Sequence, residues 1–315
     1  MQYPISVTED HLMTPQNPIE LRLLKQSTIV MALVAVIDTV FGIAAASQSI
    51  LFDGLFSAVA AAIKMLMFIT ARLIPREGSP RFQYGYWHLE PIALLVESGF
   101  LLVLALYAMT SGFVGIISGG HTINFGIAAI YAAVCAMVEL SYFFYLRHWG
   151  QRIGSLMVRY DTASWLMDAI LSLGLLVSFI GAWLLSNTRL DWVTPYLDPI
   201  ILMAAALFLI PGCFKMLKPA LRDILEIVPR ERDEQVQAVM SAFVAEHSLS
   251  GYTSYIQKSG RAVFIEINVL VPHDYPVDTI DTFDQLRYEI ADRLGEDTPG
   301  RWLTITFTGD RYWAD

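Results

Sequence analysis

The 315 residues are 55% hydrophobic and only 16% charged, against about 25% charged in a typical soluble domain. The formal net charge is −9, and almost all of it lies in residues 222–315, which hold 9 basic and 17 acidic groups against 12 and 13 in residues 1–221. Such an acidic surface excludes nucleic acid as a natural partner and suits a cation or a basic partner, and the two cysteines, Cys135 and Cys213, form neither a disulfide framework nor a zinc spacing.

The first twenty residues are polar and acidic, with Glu9, Asp10 and Glu20 and no basic n-region or apolar core. They do not read as a secretory signal, so the first helix is expected to be the membrane entry. Six spans follow, at about 27–49, 52–72, 91–118, 122–146, 160–187 and 196–216. The strongest signals are charge-free runs: residues 98–138 and 169–188 contain no Asp, Glu, Lys or Arg. Each run reaches the roughly 20 residues that cross a bilayer. Span 5 is expected to begin earlier as a helix projecting from the membrane, because residues 152–161 show no breaker. Cys135 and Cys213 sit in these apolar stretches and read as small buried hydrophobes.

Basic residues set the expected orientation. Arg22 and Lys25 precede span 1. Arg72, Arg76 and Arg81 lie between spans 2 and 3, Arg147, Arg152 and Arg159 between spans 4 and 5, and Lys215, Lys218 and Arg222 after span 6. The opposite connections hold only Arg189. Both termini are therefore expected in the cytoplasm, with a bacterial inner membrane as the expected location.

From about Leu221 the pattern changes. Residues 231–247 read as an amphipathic helix with Val236, Val239, Met240 and Phe243 on one face. Residues 251–257 and 262–271 read as strands around a Ser259-Gly260 turn, 279–294 as a second helix, and 302–307 as a last strand. The order α-β-β-α-β predicts a small ferredoxin-like α+β domain. The expected domains are thus a tail over 1–25, a six-helix transmembrane bundle over 26–218 and a cytoplasmic α+β domain over 219–315.

An ionisable residue at mid-membrane costs about 2.5–3.5 kcal/mol on insertion scales and marks a pathway or a partner. This chain has six acids and one base there: Asp38, Asp53, Glu97, Glu139, Asp161, Asp168 and Lys64. The excess of acids predicts a cavity that receives cations or protons. Asp38, Glu97, Glu139 and Lys64 are the expected proton or ion pathway, with Glu97 and Glu139 on the inner half, Asp38 and Asp53 nearer the middle or outer side, and Lys64 as a counter-ion to one acid. Asp161 and Asp168 are seven apart and share a helix face, with Ser164 between them; Asp53 and Ser57 share a face of span 2.

Four segments now carry a resemblance. Ser47-Gln-Ser-Ile-Leu-Phe-Asp53-Gly-Leu-Phe-Ser, Tyr84-Gly-Tyr-Trp-His-Leu-Glu90-Pro, Arg159-Tyr-Asp161-Thr-Ala-Ser164-Trp-Leu-Met-Asp168 and Asp198-Pro-Ile resemble, in order and spacing, the cation diffusion facilitator (cation efflux) family. The resemblance spans about residues 25–310. It implies a homodimeric exporter of divalent metals, driven by proton antiport, with two ligands on helix 2 and two on helix 5. The helix-5 pair falls on Ser164 and Asp168. The helix-2 pair falls on Phe56 and Ala60, which cannot bind a metal, and a three-residue shift gives Asp53 and Ser57. The expected metal ligands are therefore Asp168, Ser164, Asp53 and Ser57, an oxygen set that suits Mn²⁺ or Mg²⁺ better than Zn²⁺. His88 and Glu90 are candidates for a gate or dimer contact, and Tyr84, Tyr86 and Trp87 for an interfacial belt.

The expected function is export of a divalent cation in exchange for protons, with no permanently bound cofactor and no enzymatic activity. The alternative is a non-transporting membrane scaffold or sensor with a degenerate metal site.

Overall fold

The computed structural model describes residues 17–44, 48–75, 80–120, 125–186, 188–277, 279–295 and 300–314, the side chains at 44, 48–52 and 125–128 excepted. Most of the expected N-terminal tail lies outside the described residues, as do Ser47, Arg76, His121 and Thr122. Two compact units emerge: Gln16–Leu73 with Ile92–Leu221, and Ile74–Pro91 with Arg222–Asp315.

The first unit is built from six helices, each long and apolar enough to cross a membrane. They are α1 (Pro18–Ala44), α2 (Gln48–Leu73), α3 (Leu89–Ile117), α4 (Phe125–Ile153), α5 (Leu156–Leu185) and α6 (Thr194–Ile224). Helix α1 begins well before residue 27, because Pro18 fits the first helical turn and the Asn17 side chain accepts from the Ile19 amide at 3.1 Å. The expected continuous run from Arg152 into span 5 is broken. Gly154 takes φ +63°, and Ser155 then caps α5, its hydroxyl accepting from the Val158 amide at 3.2 Å. Glycine and serine supplied the breaker that the sequence reading passed over.

The bundle inverts the usual burial pattern. Large apolar side chains such as Ile43, Ile117, Trp183 and Phe208 are exposed, whereas Asp38, Lys64, Glu97, Glu139 and Asp161 are buried. A helix that turns carbon outward and charge inward has a lipid environment, so the chain is a multi-pass membrane protein.

The second unit carries α7 (Arg230–Glu246), β1 (Gly251–Ser259), β2 (Ala262–Leu270), α8 (Ile280–Arg293) and β3 (Arg301–Thr308), in the α-β-β-α-β order read from the sequence. The sheet order is β1-β2-β3. Strands β1 and β2 pair antiparallel from Gly251↔Leu270 to Ser259↔Ala262, and β3 joins β2 in parallel after the α8 crossover. Val236, Met240 and Phe243 of α7 pack with Ile265, Ile267 and Val269 of β2 and Leu286 and Ile290 of α8. One sheet face is thereby closed.

The β1–β2 turn rests on Gly260, at φ +60°. A Cβ there would lie 2.9 Å from both the Glu90 Oε2 and the Trp87 carbonyl oxygen. Beside it, Arg261 Nε donates to Glu90 Oε1 at 3.0 Å. Gly260→Ala is expected to destabilise by about 1–3 kcal/mol, the cost of a left-handed non-glycine residue, read as a lower melting temperature of the detergent-solubilised protein.

Candidate cation site

The largest concentration of acid in the bundle surrounds one cavity of about 480 Å³. Asp38 from α1, Asp53 from α2, Glu139 from α4, Asp168 from α5 and Asp198 from α6 all line it. Five helices thus contribute one carboxylate each. Asp53 and Asp198 stand near the first turns of their helices and Asp38 near the end of α1, so the cavity occupies the half of the bundle next to the α1–α2 and α5–α6 connections. Glu139 and Asp168, from mid-helix, form its deep end.

Asp38 is held in place. Tyr131 Oη donates to its Oδ1 at 2.7 Å and Ser57 Oγ to its Oδ2 at 2.8 Å. Cys135 Sγ lies 3.9 Å from the same Oδ1. By contrast, Glu139 Oε2 and Asp168 Oδ2 are buried without a hydrogen-bond partner. Buried polar atoms are almost always satisfied in native structures. Glu97 Oε1 and Asp161 Oδ2 share this condition elsewhere in the bundle, but only Glu139 and Asp168 carry such acceptor capacity on the wall of the cavity.

A second cluster lies about two helical turns from Asp168, at roughly 1.5 Å per residue along α5. Lys64 Nζ is 2.5 Å from Asp161 Oδ1, 3.1 Å from Ser164 Oγ and 4.0 Å from Glu97 Oε1. It also sits 5.0 Å from the Trp165 ring centroid, and Trp165 Nε1 donates to Ser27 Oγ at 2.8 Å. Lys64 and Asp161 are 1% and 0% exposed. One ammonium therefore joins α2, α3 and α5.

The expected metal ligands do not all meet. Asp53, Ser57 and Asp168 line the cavity, and Ser57 is engaged with Asp38. Ser164 is elsewhere, bonded to Lys64. Phe56 and Ala60, the direct helix-2 positions, line the cavity as apolar wall. Glu139 and Glu97, expected together on the inner half, belong to different clusters: Glu139 lines the deep end of the cavity, while Glu97 belongs to the Lys64 cluster.

Several contributors were not anticipated. Tyr131 and Cys135 recur with the expected Glu139 every four residues on α4, a stripe that the spacing alone could have revealed. Cys135, read as a small buried hydrophobe, is a cavity-wall thiol. Cys213 does sit in an apolar cluster, 3.8 Å from Met167 Sδ. Asp198 had entered only through its short motif.

In the second unit, Glu90 pairs with Arg261, and His88 stacks on Phe82 at 5.5 Å. Glu246, His247 and Glu289 bring ligand atoms within 4.8 Å of one another. Arg293 already bonds both carboxylates. At Glu289 burial is the largest single influence and raises the carboxyl, but the hydrogen bonds and charges of His247 and Arg293 together outweigh it and hold the carboxyl below its usual range. The group is a satisfied ion-pair network rather than a vacant metal site.

The family model for the cation efflux transmembrane domain matches residues 24–225. A zinc transporter of Yersinia pestis, ZitB, is 22% identical over 198 residues, covering 63% of this chain and 61% of that protein. The matched segment contains every residue that lines the cavity.

Proposed function

This chain belongs to the cation efflux family, and we propose that it is a secondary transporter that exports a divalent metal cation in exchange for protons. The observation that carries this reading is the cavity in which Glu139 and Asp168 present unsatisfied carboxylate oxygens. A proton and a metal ion compete for the same oxygens there, which is the elementary requirement of antiport. Asp38, fixed by Tyr131 and Ser57, and Asp53 raise the local cation concentration at the end away from Glu139 and Asp168. Lys64, neutralising Asp161, keeps the second cluster from acting as a competing cation sink.

The relative's zinc comes to this chain only as a candidate cargo. Carboxylate donors predominate, and they suit hard ions such as Mn²⁺; the Cys135 thiol adds one softer donor. Flux into proteoliposomes across a panel of divalent metals, with an internal proton-sensitive dye, tests the proposal. Metal entry with opposite proton movement is expected. Metal-independent dye traces across the panel would sink it in favour of a non-transporting scaffold or sensor, a reading that the apolar Phe56 and Ala60 favour.

The proposed orientation puts both termini in the cytoplasm of a bacterial inner membrane, in a homodimer. In a cysteine-less background, Thr122→Cys is expected to label from the periplasmic face, and Gly295→Cys only after permeabilisation. The reverse pattern would invert the transport direction.

A further inference from the structure

The face of the β-sheet turned away from α7 and α8 is unusual for its chemistry. Phe264 and Trp302 are register partners on it, and Glu266 occupies the next row on the same face, between Tyr255 and Thr304. Tyr84, from the segment preceding α3, completes an aromatic trio: its ring lies 5.5 Å from Trp302 and 6.1 Å from Phe264. These side chains, with Trp87 and Glu226, line a cavity of about 570 Å³. All of it lies within the second unit.

The aromatic segment around Tyr84, expected as an interfacial belt, supplies part of this lining. Two of its rings, Tyr84 and Trp87, form a wall of this cavity. Its position depends on Gly85 at φ +81°, where a Cβ would crowd the Trp87 indole nitrogen at 3.2 Å.

The lining selects its ligand by elimination. Glu226 and Glu266 have no ionic or hydrogen-bond partner among the described residues, so an anion is excluded. A bare metal ion finds no converging donors, since no metal-holding group of His, Cys, Asp or Glu among the described residues includes either glutamate. The volume is that of a small-molecule pocket, within about 300–1,000 Å³. Aromatic faces beside carboxylates attract an alkylated cation through its dispersed charge. We propose that this cavity binds a small organic cation bearing an alkylammonium group, supplied either as a free amine or as a lipid headgroup. The site is independent of the cation cavity in the bundle, and the proposal stands or falls without the transport reading.

The test uses the full chain in detergent, titrated with choline while tryptophan fluorescence is followed. Saturable quenching is expected with choline and tetramethylammonium but not with sodium chloride at equal ionic strength. Trp302→Leu should weaken binding by about tenfold, the worth of one desolvated cation–π contact. Glu266→Gln, an exposed near-isostere that leaves folding intact, should weaken it comparably and so stands if Trp302→Leu fails to fold. Stronger quenching by short-chain phosphatidylcholine than by choline would identify the headgroup as the source; the reverse would identify a free amine. Absence of saturable quenching, or quenching unchanged in Glu266→Gln, would overturn the proposal. So would a shift from dimer to monomer in Trp302→Leu without any choline effect, since the face would then be a contact between two copies.

Discussion

Asp168→Asn is expected to abolish metal-coupled proton movement while leaving the melting temperature of the purified protein within a few degrees of the parent. Asp168 is the helix-5 carboxylate at the deep end of the cavity, and its Oδ2 has no hydrogen-bond partner. The amide preserves shape and volume. It removes the negative charge that a divalent ion needs and the acid that can carry a proton. Even residues that only support metal ligands are worth about 10–100-fold in affinity or activity, so a direct ligand should cost at least about a hundredfold in flux. If Asp168 served only to balance Lys64 electrostatically, the result would differ. The cluster would lose stability and flux would fall only in proportion to the folded fraction. Melting temperature and flux measured on the same preparation separate the two outcomes. Full flux in a stable variant would remove Asp168 from the mechanism.

The largest stability effect is expected at Lys64. Lys64→Met keeps the stem but deletes the ammonium, the only cation paired with Asp161 and Glu97 among the described residues. Surface ion pairs contribute little, about 0–1 kcal/mol, but here both partners are essentially fully buried. Breaking a buried pair from one side costs about 3–5 kcal/mol, because the remaining charge is uncompensated. The variant should therefore melt many degrees lower or fail to accumulate. The double variant Lys64→Met, Asp161→Asn should regain part of that loss, since it removes both members of the closest pair and leaves Glu97 as the one acid of the cluster to be neutralised by a proton. A single variant as stable as the parent, or a double variant no better than the single, would mean that Lys64 is solvated by something other than this pair.

The sequence carried the architecture well and the site only partly. Membrane spans announce themselves through long stretches without charge, and the tail through strands and helices of contrasting periodicity, so both are local signals. The candidate cation site is not local. Tyr131 reaches Asp38 across 93 positions, and Lys64 reaches Asp161 across 97. Periodicity places Asp161, Ser164 and Asp168 on one face of α5, but it does not say which neighbour each meets. Only packing shows that Ser164 faces an ammonium while Asp168 faces a cavity. Depth counted along separate helices grouped Glu139 with Glu97, and only packing shows that they belong to different clusters. The Gly154–Ser155 break, in contrast, lies in local residue chemistry, a left-handed glycine followed by a capping serine.

The position of Cys135 has a practical consequence. Its sulfur stands on the wall of the acid cavity, 3.9 Å from Asp38 Oδ1, whereas Cys213 is fully buried against Met167. The native chain therefore contains one thiol whose alkylation rate by a small methanethiosulfonate reagent reports cavity occupancy. Protection that saturates with rising metal concentration would yield a binding isotherm without an attached dye or a radioactive tracer. Comparing a permeant with an impermeant reagent on sealed vesicles would show from which side of the bilayer that thiol is reached.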